Sequence, residues 1–413
     1  MPRSVAAHRE AVAELLSAAT AGKGTLRLPL MDALGKALAV DVHAPLSLPP
    51  FANSQMDGFA VRSADIPDDG AKLRVSAPVP AGAAPDALKE GHAAPIMTGA
   101  MIPEGADAVV PIEKATPGTF PDPGAVGAEV ELPAVEPGTF VRHPGSDIEK
   151  GALAMSAGTV LGPSQLGLLA ALGYSDVEIR KPLRVLLLTT GDEVQEPGTE
   201  LTAGKIYDSN GTLLEASMRQ AGLEVVRTGI SDDRPAGLLA VLQQHLNDGP
   251  GEGDRDAANP VDVIVTTGGV SKGAYEVVRL AMAGQPVDFL HVAMQPGGPQ
   301  GLGTFNGIPF IGFPGNPVSC LVSFEMFLRP ALSQVAGTPA PRPVQKARLA
   351  EPLTSPHGKH QVRRGTVVDG VVRMEGGAGS HLVHALARAN ALVQIPANVT
   401  ELAQGDEVEV WML

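Results

Sequence analysis

Arg184-Val185-Leu186-Leu187-Leu188-Thr189-Thr190-Gly191-Asp192-Glu193 is an aliphatic run that stops at a polar, glycine-bearing turn. The pattern recurs twice. Val263–Val265 runs into Thr266-Thr267-Gly268-Gly269-Val270-Ser271-Lys272-Gly273, and Phe310–Gly312 runs into Phe313-Pro314-Gly315-Asn316-Pro317-Val318-Ser319. Strands are expected over Arg184–Thr189, Glu224–Thr228, Asp262–Thr266, Asp288–Val292 and Pro309–Gly312. Helices are expected over Thr212–Gln220, Pro235–Leu246, Tyr275–Met282 and Val318–Leu332. Near-continuous Val, Ile and Leu strands alternating with helices imply a doubly wound parallel sheet covered on both faces. Its three turns then gather at the carboxyl edge, where such sheets bind ligands.

The residues of these turns suit anions. Glycines at Gly268, Gly269 and Gly273 let a backbone approach closely, N–H groups donate, and Lys272 adds charge, though the spacing is not that of a Walker A loop. Pro317 begins a helix and leaves Ser319 near its amino end. Carboxylates form a second constellation on the same edge: Asp192 and Glu193 after the first strand, Asp208 before a helix, Asp232 and Asp233 after the second strand, and Glu276 after the glycine-rich turn. Acids at helix starts serve as caps or answer the dipole, whereas several together can hold Mg²⁺, which takes oxygen ligands.

Outward from this unit the character changes. Val5–Ala19 has helical spacing. After the proline-rich Leu46–Phe51 come short alternating runs at Leu73–Val75, Ala108–Ile112, Glu129–Leu132 and Thr139–Arg142, separated by turn residues, as in a small β-rich domain. Asn53-Ser54-Gln55-Met56-Asp57-Gly58-Phe59-Ala60 carries an Asp-Gly turn signal. Gly162-Pro163-Ser164 starts a helix to about Leu172, and Asn247–Pro260 is a solvated loop. Ala336–Pro343 is a linker, beyond which short alternating stretches suggest a compact C-terminal β domain. The expected division is 1–45 with 141–180 (mixed and helical), 46–140 (β-rich), 181–335 (α/β) and 336–413 (β-barrel-like).

Forty-eight Gly and 37 Pro among 413 residues place much of the chain in turns, and aromatics at 3% leave an aliphatic core. A net charge of −14 argues against nucleic acid. No apolar run approaches the ~20 residues that span a bilayer, and no secretory leader is evident. The lone Cys320 excludes an internal disulfide, fits a buried helix position, and points to a reducing, cytoplasmic setting. His357, His360, His381 and His384 fit loops or surface better than zinc. Lys359, Arg363 and Arg364 crowd one β segment, as solvated charge or as an anion clamp.

Seven segments in order resemble the molybdopterin molybdenumtransferases, the molybdenum-insertion enzymes related to the C-terminal domain of gephyrin. They are Asn53–Ala60, Ile96–Ala100 with Pro103–Asp107, Thr190–Glu193, Ile206-Tyr207-Asp208-Ser209-Asn210, Gly268–Ser271, Pro314–Ser319, and Gly379-Ser380 with Ala389-Asn390. The resemblance implies an elongated homodimer with a molybdopterin-binding α/β domain. Its site would lie between the α/β domain of one subunit and the β-rich domain of the other. The reaction implied takes adenylylated molybdopterin and molybdate to molybdenum cofactor and AMP with Mg²⁺, in transient contact with other molybdenum-cofactor synthesis proteins. Functional acids carry over to Asp57, Asp147, Glu193, Asp232 or Asp233, and Glu276. Glu193, Asp232 and Asp233 would hold metal or molybdate. Ser271 and the Gly268–Gly273 amides would cradle phosphate or pterin, Asn316–Ser319 would complete the pocket, and Lys272 and Arg364 would hold anionic groups.

Two departures stand out. Glu276 and Ala274 replace residues that are usually acidic in the family, Glu276 standing for an aspartate. The turn Gln295-Pro296-Gly297-Gly298-Pro299-Gln300 also lacks the lysines often found there, so that one anion contact is missing or comes from Lys272. Adenylyl transfer to molybdopterin and a non-catalytic scaffold are the alternatives.

Overall fold

The computed structural model describes residues 2–20, 23–122, 126–229, 234–247, 261–270 and 277–413. The opening stretch lies inside a six-stranded sheet. Strands β1 (Arg184–Thr189), β2 (Glu224–Gly229), β3 (Val263–Thr267), β4 (Val287–His291), β5 (Pro299–Phe305) and β6 (Ile308–Phe313) run in the order β2-β1-β3-β6-β5-β4. Strand alternation sends Val185 and Leu187 to one face, against Leu214 and Met218. Leu186 and Leu188 go to the other, against Leu238 and Leu242. Burial on both faces explains the unbroken aliphatic runs.

The sheet departs from the expected parallel arrangement at one edge. The strands β2, β1, β3 and β6 are parallel, but β5 is antiparallel to β6 and β4 to β5. The strand β5 was not expected, because Pro299, Gly301 and Gly303 depress strand propensity. Close packing requires one of those glycines: a Cβ at Gly303 would lie 2.0 Å from the Pro286 carbonyl oxygen.

Beyond the sheet, β7 (Val344–Leu349), β8 (His360–Val368), β9 (Val371–Met374), β10 (Ala391–Ile395) and β11 (Glu407–Met412) close into a barrel in the order β8-β9-β7-β11-β10 and back to β8. Leu349, Val372, Val393 and Val410 help to fill it. The start of β8 also pairs in parallel with Met294–Gln295, and the His360 N–H donates to the Ala293 carbonyl at 2.9 Å. The barrel is thereby stitched to the α/β unit.

Further toward the N-terminus, Gly58–Val61, Ala71–Val75, His92–Ile96, Ala108–Pro111 and Glu129–Leu132 form a five-stranded sheet. Thr25–Pro29 pairs with Asp176–Arg180 beside a separate core of Leu38, Leu161, Leu169 and Ile179. The helix Val5–Thr20 packs Val12 and Leu16 into the α/β core. The segment Asn53–Ala60 is only partly the expected turn, since Gly58 already lies in a buried strand. A Cβ on Gly58 would fall 2.1 Å from the Val110 carbonyl oxygen, so strand packing fixes that glycine. The expected single helix Val318–Leu332 is instead Pro317–Ser323, a π-helical turn Phe324–Leu328 and Arg329–Ala336. The expected loop Asn247–Pro260 lies, from residue 248 on, outside the described residues.

Candidate active site

The exits of β1, β3 and β6 meet at the carboxyl edge of the sheet. Backbone bonds lock them together: the Thr190 N–H donates to the Thr267 carbonyl at 3.0 Å and the Gly268 N–H to that of Phe313 at 3.1 Å. The Asn210 side-chain amide donates to the Gly315 carbonyl at 2.6 Å. Gly268 and Gly269 have φ of +94° and +61°, a region that L side chains seldom enter. There is also no room for a side chain, because a Cβ at Gly268 would lie 2.7 Å from the Thr190 carbonyl oxygen. The turns therefore present bare backbone.

They open into a cleft of about 1020 Å³. Of the residues expected to bind or act, Thr190, Gly191, Glu193, Asp208, Ser209, Asn210, Gly268, Gly269, Val270, Pro314, Gly315, Asn316, Pro317 and Ser319 line it. The Glu193 carboxylate is exposed and lies over Gly191, where a Cβ would come within 2.7 Å of it. Asp208 is engaged otherwise. It is 3% exposed, accepts the Gly211 N–H at 2.8 Å as a helix cap, and pairs with Arg227 at 2.8 Å. Asp192 is exposed beside the cleft but is not among its lining residues. Cys320 is buried beneath the third turn as expected; burial pushes its thiol up to about 12, and its sulfur meets Thr267 Oγ1 and the Pro314 carbonyl at 2.8 Å. It is an inert packing group.

Three further residues fall elsewhere. Arg364 is 1% exposed and absent from the cleft lining; its guanidinium is turned behind the loop to the Gly377 carbonyl. Neither Asp57 nor Asp147 lines the cleft of its own chain. Their segments adjoin each other through the pairing of Asn53 with Arg142 and of Leu48 with Ile148. The Thr98 backbone N–H and hydroxyl, 2.6 and 2.7 Å from one Asp57 oxygen, hold that carboxyl below the usual carboxylate range. Ser271, Lys272, Gly273, Glu276, Asp232 and Asp233 lie outside the described residues.

The barrel supplies further lining residues: Lys359, read from the sequence as solvated charge or an anion clamp, and Ser380 and His381, for which no role was expected. Gly379-Ser380 stood out only as a matching motif, and His381 looked like a surface residue. Among the described residues no group of three or more His, Cys, Asp or Glu could hold a metal ion. A divalent ion at Glu193 would complete its shell from substrate oxygens and water, a habit of Mg²⁺.

Three family models match the chain in order. The MoeA N-terminal region (domain I and II) matches residues 3–173, the probable molybdopterin binding domain 187–334, and the MoeA C-terminal region (domain IV) 346–413. The chain is 42% identical over 427 residues to molybdopterin molybdenumtransferase 2 of Mycobacterium tuberculosis, with 100% of both covered. It is 32% identical to the molybdopterin molybdenumtransferase of Haemophilus influenzae, covering 93% of this chain and 92% of the relative. A solved structure of the molybdopterin biosynthesis MoeA protein from Pyrococcus horikoshii superposes with a TM-score of 0.77 at 30% identity, covering 100% of this chain and 99% of that one.

Proposed function

This chain belongs to the molybdopterin molybdenumtransferase family, and from that membership we propose that it inserts molybdenum into molybdopterin, converting adenylylated molybdopterin and molybdate to molybdenum cofactor with release of AMP. The observation that carries the proposal is the cleft in which three bare-backbone turns converge beside Glu193. Breaking the phosphoanhydride leaves negative charge on the departing AMP. Donors already aimed at that charge lower the barrier without having to reorganise. In this scheme the turn amides, including those of Gly268–Gly273, hold phosphate or pterin, and Asn210 and Asn316 flank it. Glu193, Asp232 and Asp233 would hold Mg²⁺, which when bound neutralises phosphate oxygens as a Lewis acid.

Asp57 and Asp147 enter the scheme from the partner subunit of a homodimer. Their absence from the cleft of their own chain supports this assignment, as does the ionised state that Thr98 gives Asp57. The division into 1–45 with 141–180, 46–140, 181–335 and 336–413 belongs to the same proposal, supported by separate apolar cores. So does a cytoplasmic setting, in keeping with a lone unpaired cysteine. No helix among the described residues is long and apolar enough to cross a membrane. Adenylyl transfer and a scaffold role are not favoured, because family matches run from residue 3 to residue 413.

The test is to incubate the protein with adenylylated molybdopterin, Mg²⁺ and molybdate and to follow AMP. Molybdate-dependent release is expected, and its absence overturns the proposal. Asp57→Asn should leave a folded dimer that releases no AMP, and full turnover by that variant would remove Asp57 from the mechanism.

A further inference from the structure

A second cavity, of about 280 Å³, lies at the opposite edge of the α/β sheet from the cleft. Pro182 and Leu183 lead into β1, and Gly222 and Leu223 into β2, so the cavity sits where those strands begin. The six residues of β1, at roughly 3.3 Å each, hold it about 20 Å from the turn at Thr190. Ligands of such sheets bind at the other edge, so this cavity is no part of the site described above. Its second wall comes from Lys23–Thr25, Gly35–Ala37 and Arg180-Lys181, which belong to the strands and turns packed beneath the sheet.

The described lining holds four cations, Lys23, Lys36, Arg180 and Lys181, and no carboxylate, in a chain of net charge −14. Lys23 donates to the Pro182 carbonyl at 2.9 Å and pairs with Asp262. The Lys36 ammonium donates to the Gly222 carbonyl at 3.2 Å, and the Arg180 guanidinium to that of Ala336 at 2.9 Å. Those carbonyls close the helices Ser209–Gln220 and Arg329–Ala336, whose carboxyl ends favour cations. Capping explains where these two side chains stand but does not cancel their charge. Among the described residues neither of them, nor Lys181, enters an ion pair, and the half-buried Lys181 ammonium donates to nothing.

Beside these cations Leu183, Leu223, Leu332 and Val335 present an aliphatic wall. We propose that the cavity binds a small organic anion, its oxyanion head held by Lys36, Arg180 and Lys181 and its hydrocarbon body laid against that wall. An inorganic anion would leave the aliphatic wall in water, and a neutral molecule would leave three cations unanswered. A volume near the roughly 300 Å³ lower bound of ligand pockets suits a compact molecule rather than a dinucleotide or a peptide. Bound there, the ligand bridges the start of the sheet and the segments beneath it. The site is independent of the functional reading above.

Calorimetric titration of the full-length protein with hexanoate, hexyl phosphate and 1-hexanol tests it. At least one of the two anions should bind once per chain, which identifies the head as carboxylate or phosphate, and 1-hexanol should bind at least about tenfold more weakly. Lys181→Gln should weaken the anion by about tenfold, the worth of one charge-assisted contact, and Lys181→Arg should restore it. The melting temperature of free Lys181→Gln should match wild type, because the ammonium has no partner to lose. Lys36→Gln should also weaken the anion, whereas Lys359→Met, in the cleft at the other edge, should leave it unchanged. Failure of both anions to bind overturns the proposal, as does equal binding of 1-hexanol. Affinity that survives both Lys181→Gln and Lys36→Gln, or that is lost in Lys359→Met, places the anion elsewhere and overturns it too.

Discussion

Asp208 and Glu193 stand at one edge of one sheet with opposite fates. Asp208 is enclosed by the Gly211 N–H and Arg227, whereas Glu193 stays exposed over Gly191. Asp208→Ala should remove a helix cap and strand a mostly buried guanidinium, costing roughly 3 kcal/mol in urea denaturation. Wild-type stability in that variant would show the pair to be dispensable. In sequence the two acids looked alike, because the partner that separates them sits nineteen residues downstream on a neighbouring strand. Arg364 was misplaced for a related reason: its type suggested an anion clamp, but strand register and the Gly377 carbonyl turn it away from the cleft. Glycine turns were easier to recognise, since bare backbone is a property of the residue itself.

At the scale of elements, the long aliphatic strands were legible because burial on both faces leaves no polar interruption. The π-helical turn at Phe324–Leu328 was not, since its apolar residues continue the spacing of the flanking helices. Its Met326 carbonyl accepts the Arg9 Nε–H at 3.0 Å. Beside that contact His8 is 1% exposed, with its ring edge-on to Phe327 at 4.5 Å and no partner for either nitrogen. Burial, aided by the Arg3 charge, lowers His8 from 6.5 to about 4. Between those values the unfolded chain binds the proton that the folded chain refuses. The stability held above pH 6.5 therefore falls as pH drops toward 4 and levels off below it. Over that window the loss through His8 is roughly 3 kcal/mol. Denaturation at pH 7 and pH 4 should show a smaller drop for His8→Leu than for wild type, and equal drops would refute the assignment.

Across the whole molecule, the composition shifts near residues 46, 181 and 336 were visible, while the contacts that orient the parts were not. Arg342, on the linker to the barrel, grips Glu325 with bonds of 3.0 and 2.8 Å, and Arg329 lies 3.8 Å away. The Glu325 side chain is fully buried. Arg342→Ala should cost about 3–5 kcal/mol by leaving that carboxylate underpaired, and limited proteolysis should then cut within residues 337–343. Resistance equal to wild type would show that the barrel is held without Arg342, by its pairing with Met294–Gln295 and the packing of Val362, Leu386 and Leu392 on the α/β core. The Arg9–Met326 bond spans 317 positions of sequence, and the guanidinium also stacks on Trp411 at 5.4 Å. A ribosome adding about 5–20 residues per second leaves Val12 and Leu16 without their packing partners for tens of seconds. During that interval the apolar face of the first helix stays uncovered, and its docking is timed by the last third of the chain's own translation.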